Sequence, residues 1–121
     1  MTNSTKIAPS NSLLFVSDPD GGDPPRPARD EQILATDSCI SVACYPFIDG
    51  ETAVTLGAAR EVDPGYEPAF DGKLATPNRA IVISTVEHKT ILSATVPETI
   101  TRIRAWVNKP SMADQVIIGF D

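Results

Sequence analysis

Between Arg79 and Phe120 apolar and β-branched residues come in four runs separated by short polar breaks. Arg79 to Val86 is almost wholly apolar and predicts a central strand buried on both faces. Glu87-His88-Lys89 turns the chain, and Thr90 to Val96 returns it. Pro97-Glu98 interrupts, Ile100 to Val107 predicts a long strand, Asn108-Lys109-Pro110 opens a loop, and Gln115 to Phe120 predicts a last strand paired with the one carrying Trp106.

The first half is less regular. Leu13 to Val16 predicts a short edge strand. From Ser38 to Phe47 the residues alternate, with Ile40, Val42 and Cys44 on one face and Ser41, Ala43 and Tyr45 on the other. Ala28 to Ala35 could form two helical turns after Pro27, or Gln32 to Ala35 could open a strand; the strand is the preferred reading. Thr52 to Leu56 predicts a further strand. Asp49-Gly50 and Asp71-Gly72 each supply the positive φ of a tight hairpin turn, and Asp63-Pro64-Gly65 marks another turn. The run from Ser17 to Arg29, with four prolines and two glycines, predicts an extended loop. About eight short strands at regular spacing, with little or no helix, predict an all-β, antiparallel β-sandwich of jelly-roll or immunoglobulin-like arrangement. Residues 1–12 lack periodicity and are expected to form a flexible N-terminal tail, with residues 13–121 as a single sandwich domain.

Composition supports a folded chain: 41% of residues are hydrophobic and 21% charged, so there is apolar surface enough for one core. The net charge of −6 is unevenly spread. Between Asp18 and Asp71 twelve acids face only Arg26, Arg29 and Arg60, leaving −9; from Gly72 onward six bases face four acids. An acidic half of this kind argues against nucleic acid or an anionic membrane as partner. It is compatible with solvated loops or with a basic partner. No apolar run reaches the length of a signal-peptide core or a membrane span, and Cys39 and Cys44, five apart, fall on opposite faces of a strand where they cannot bridge. Two buried thiols in a cytoplasmic protein are the expectation.

Candidate chemistry is sparse. The sole histidine, His88, is expected at a turn, where nothing orients it as a general base, and no nucleophile motif accompanies it, so no catalytic residue is assigned. Zinc lacks a ligand set. Asp18, Asp20 and Asp23 cluster in one loop and supply the hard oxygen donors calcium requires, but the run departs from the EF-hand pattern because Arg29 stands where the last acidic ligand should be. No cofactor is expected. On the strand from Ile100 to Val107, alternation places Arg102, Arg104 and Trp106 on one face. Two readings stand side by side: Trp106 is core while the arginines pair with neighbouring acids, or the three residues form a protein-binding surface, since Trp and Arg dominate interface hot spots.

The expected function is therefore non-catalytic: a small protein-interaction or self-associating sandwich, which includes a homodimer. Two alternatives belong to other classes, an acidic inhibitor or immunity-type protein docking on a basic enzyme cleft, and a calcium-dependent or carbohydrate-binding sandwich that uses the loop of Asp18, Asp20 and Asp23.

Overall fold

Burial alternates cleanly along the strand from Ala80 to Thr85. Ile81, Ile83 and Thr85 are buried while Ala80, Val82 and Ser84 are half-buried, so this run packs one face fully and covers the other only in part. The computed structural model describes residues 2–7, 13–26, 32–44, 50–87, 89–108 and 113–121. Among them lie ten strands: β1 (Asn3–Ile7), β2 (Leu13–Ser17), β3 (Ile33–Ala35), β4 (Cys39–Ala43), β5 (Thr52–Ala58), β6 (Phe70–Ala75), β7 (Ala80–Thr85), β8 (Thr90–Thr95), β9 (Ile100–Val107) and β10 (Gln115–Phe120). A single helical turn, α1 (Ala59–Val62), follows β5 directly.

The strands form two five-stranded sheets. Sheet I runs β1-β5-β10-β9-β6, and sheet II runs β3-β4-β2-β7-β8. Leu14, Val16, Ile40, Val42, Ile81 and Ile83 of sheet II face Val54, Leu56, Leu74, Ile103, Ala105, Val116 and Ile118 of sheet I in one continuous core. The chain is thus an all-β sandwich. Its pairs are antiparallel except β5 with β10, which run parallel from Gln115↔Ala53 to Phe120↔Ala58. That exception needs a long connection, because parallel neighbours cannot be joined by a hairpin.

The C-terminal half follows the sequence pattern closely, with β9 and β10 at the expected positions and paired antiparallel. The first half departs from it. Leu13 to Ser17 is an interior strand bonded to both β4 and β7, since its alternate side chains Leu14 and Val16 are fully buried. Residues 3–7, placed in a tail by their polar composition, form an edge strand on β5. Residues 33–35 are strand, as preferred. Asp71-Gly72 makes no hairpin: it lies inside β6, where the missing Cβ of Gly72 leaves room for the Phe70 ring, which a side-chain carbon there would approach to 2.7 Å. The expected Asp49-Gly50 turn lies partly outside the described residues; the described strands on either side of it, β4 and β5, belong to different sheets. Asp63-Pro64-Gly65 is a turn, with Gly65 at φ +95° and its N–H donating to the Asp63 side chain at 2.8 Å.

Candidate binding surfaces

On β9 the inward side chains are Thr101, Ile103 and Ala105, all buried, which sends Arg102, Arg104 and Trp106 to the outer face of sheet I. The three candidate residues do share one face. Trp106, however, is neither in the inter-sheet core nor exposed. It is 1% exposed and packs with Ala59, Val62 and Ile117 in a second, small core beneath α1. Its indole N–H donates to the Tyr66 carbonyl at 2.9 Å, so the loop after α1 is tied to the same ring. Gly119 makes this layer fit: a Cβ there would meet the Ala59 Cα at 2.8 Å and the Trp106 Cζ3 at 2.9 Å.

The arginines are organised by acids. Arg102 Nε and Nη2 donate to the two oxygens of Asp71 at 2.9 and 2.7 Å, with Asp121 at 3.6 Å. Arg104 Nη2 donates to Asp121 at 2.8 Å, and its guanidinium carbon lies 5.7 Å from the Trp106 ring centroid. The Arg102 hydrogen bonds hold Asp71 below the usual carboxylate range against the opposing effect of burial, with the charges of Arg102 and Arg104 adding to them. Arg104 Nε is buried with no hydrogen-bond partner among the described residues. Both sides of the Arg102–Asp71 pair are about half exposed, at 49% and 41%, so the bidentate geometry sets orientation more than stability.

The loop candidates sit at the opposite chemical extreme. Asp18 is 1% exposed. Its carboxylate accepts the Asn78 backbone N–H at 2.8 Å, the Asn78 side-chain amide at 2.6 Å and the Asp20 N–H at 3.0 Å. Burial pushes its pKa up, but the Asn78 and Asp20 hydrogen bonds outweigh that and hold it below its ordinary value. Asp20 shares the same Asn78 amide at 2.7 Å, whereas Asp23 is tied elsewhere, its N–H to the Ser38 hydroxyl and its carbonyl to Thr36. Among the described residues no group of three or more His, Cys, Asp or Glu side chains comes together as metal ligands. Asp20, Asp23 and Asp37 present their side chains to solvent at this end of the sandwich. The signal for Asn78 was weak in sequence, a single Asn after Pro77; nothing there announced a partner sixty residues away.

Cys39 and Cys44 are both buried and unbridged, with Cys44 in the inter-sheet core and Cys39 outside it. Burial pushes both thiols up to about 11, Cys39 with help from the nearby Asp23 charge, so neither is a nucleophile at neutral pH. His88 lies outside the described residues. A shallow groove of about 160 Å³ opens between the acidic loop and sheet II, lined by Phe15, Ser17, Gly22, Cys39, Val82 and Ser84. That volume is small for an organic ligand.

No protein-family model matches the chain, and no curated protein matches it in sequence. Solved structures do share its fold. ComJ from Bacillus subtilis, inhibitor of the DNA-degrading activity of NucA, is similar with a TM-score of 0.71 and 18% identity, over 98% of this chain and 93% of ComJ. The product of crocagin biosynthetic gene J is similar with a TM-score of 0.50 and 10% identity, over 99% of this chain and 97% of that one. At such identities the likeness is one of fold.

Proposed function

We propose that this chain is a non-catalytic protein inhibitor that occupies the basic active-site cleft of an enzyme acting on nucleic acid. The observation that carries the reading is the segregation of charge onto a held framework: Asp20, Asp23 and Asp37 face solvent on loops pinned by Asp18–Asn78, Thr36 and Ser38. A nuclease must hold a polyanion with Lys and Arg, and carboxylates on a rigid loop compete for the same cations without offering a scissile bond. Pre-organisation matters because a loop that needs no ordering on binding loses less entropy. The fold likeness to ComJ, a nuclease inhibitor, over nearly the whole chain supports the same class of partner.

The test is direct. The purified chain is mixed with NucA, the nuclease that ComJ inhibits, and with any nuclease encoded beside the chain's own gene, and plasmid degradation is followed. Expected is loss of cleavage near equimolar ratio, an affinity that falls steeply between low and high salt, and about a tenfold loss for the triple change Asp20→Asn, Asp23→Asn, Asp37→Asn. Undiminished cleavage in the presence of excess chain, or an affinity indifferent to salt, overturns the reading.

A further inference from the structure

Resting on the inhibitor reading, we infer that the outer face of sheet II is the apolar part of the inhibitory surface, and that the groove at its acidic margin receives one Lys or Arg side chain of the enzyme. Strand register fixes which side chains share this face. Leu34 lies beside Ser41, Ser41 beside Phe15 and Phe15 beside Ser84, a row that crosses β3, β4, β2 and β7. Leu13 and Ala43 flank the row on one side, and Cys39, Ser17 and Val82 flank it on the other. None of these residues is charged.

Leu13, Phe15, Leu34, Ala43 and Val82 are all half-buried, so the face offers apolar surface that is not sealed. At one margin the loop through Pro19, Gly22 and Pro24 stands beside Phe15 and Val82, with the groove of about 160 Å³ between them. That loop also carries Asp20 and Asp23, both exposed. An apolar centre bounded by a charged rim is the anatomy of a protein–protein interface.

Size, wall chemistry and charge together name the occupant. A cavity of about 150 Å³ holds a benzene molecule, so this groove has room for one side chain and little more. Phe15, Val82 and Pro24 give it apolar walls, which suit the aliphatic stem of Lys or Arg while the charged head stays at the rim. The only charged residue lining it is an acid, Asp18, and no Lys or Arg does. Burial and then the nearby Asp23 charge raise the Cys39 thiol, which brings the field of that carboxylate to the groove floor. A cation from outside therefore meets negative charge that no base of the groove offsets. An enzyme that grips a polyanion carries such side chains around its cleft.

Charge placed in the groove tests this, with inhibition of plasmid cleavage as the readout and circular dichroism and light scattering beside it. Ser84 and Thr90 face each other across β7 and β8, and both line the groove. Ser84→Lys and Thr90→Lys each set a cation of the chain's own there. Each is expected to raise the concentration for half inhibition at least about tenfold while the chain stays folded. Thr90 is exposed, so its variant keeps the test open if Ser84→Lys fails to fold. Thr90→Asp, which adds to the charge of the rim, should inhibit at least as well as the parent. Ile100→Lys adds the same charge as the lysine variants to the outer face of sheet I, where Ile100 is 62% exposed, and should leave inhibition unchanged. Equal losses in Thr90→Lys and Ile100→Lys, or folded lysine variants that inhibit like the parent, overturn the inference and leave the inhibitor reading standing. A parent dimer that Thr90→Lys dissociates gives the face to a second copy and overturns it as well. A parent that inhibits nothing removes the inhibitor reading and this inference together.

Discussion

The two sheets solve the same packing problem with different outer faces. The strands of sheet II contain no charged residue at all, whereas sheet I carries Lys6, Asp71, Lys73, Arg102 and Arg104. Sheet I also supports a third layer, α1 and the loop through Tyr66, seated on Trp106 and Gly119. Sheet II has no described counterpart to that layer, and its polar work is moved off the strands into the loop around Asp18. The difference teaches that the conspicuous residues of sheet I, the tryptophan and the arginines, are largely consumed by the fold. The plain sheet carries the organised acids at its end.

Substitutions can break or sharpen that contrast. Trp106→Ala should be the most severe, because it empties the small core under α1 and leaves the Tyr66 carbonyl without its donor; about 3–5 kcal/mol of stability should be lost in urea titration. A loss below about 1 kcal/mol would show that the third layer is dispensable. Gly119→Val should cost about 1–3 kcal/mol by pushing on the Ala59 backbone and the indole, with a change in tryptophan fluorescence that locates the damage beneath α1. Asp18→Asn replaces a charge-assisted acceptor with a neutral one and should cost about 1–2 kcal/mol at neutral pH. It should also change the pH profile. Since Asp18 is held below its ordinary value of 3.8 in the folded state, its contribution is present above that value and disappears as pH falls through the lower, folded one. The variant should therefore lose less stability on acidification than the parent; equal acid sensitivity would mean the Asn78 bonds do not discriminate between protonation states. Arg102→Gln should be the mildest, with a melting temperature within experimental error of the parent, because its pair with Asp71 stands in solvent.

How much of this was legible in the sequence depends on whether local pattern or distant contact decides. β9 was readable because Thr101, Ile103 and Ala105 alternate with Arg102 and Arg104, and β10 because Val116-Ile117-Ile118 is an unbroken apolar run. The grouping of Arg102, Arg104 and Trp106 followed from the same alternation. The burial of Trp106 did not, because its cover comes from Ala59 and Val62, a single turn too short to show helical periodicity. Asp71-Gly72 has the chemistry of a turn, but Phe70 folds over the glycine and β9 supplies a ladder, so tertiary pairing outweighs local preference. Asn3 to Ile7 gave no hydrophobic signal since its strand lies on an edge with one partner. Asp18 looked like one of several loop acids; only contact with Asn78 distinguishes the buried structural carboxylate from its solvated neighbours.

The parallel pairing of β5 with β10 has a consequence for the order in which the molecule assembles. Every strand of sheet II lies between Leu13 and Thr95, while the middle of sheet I is a strand drawn from residues 115–120. Sheet I stays split into β1-β5 and β6-β9 until β10 bridges them across a separation of 62 residues, and sheet II stays split into β3-β4-β2 and β7-β8 until β2 meets β7 across 65 to 71, so the two closures carry nearly the same entropy cost. Pulse-labelled hydrogen exchange during refolding should protect the amides of β2 and β7 on the same timescale as those of β5 and β10; protection of one sheet well before the other would refute this. A chain arranged in this way has no half that can finish its sheet alone.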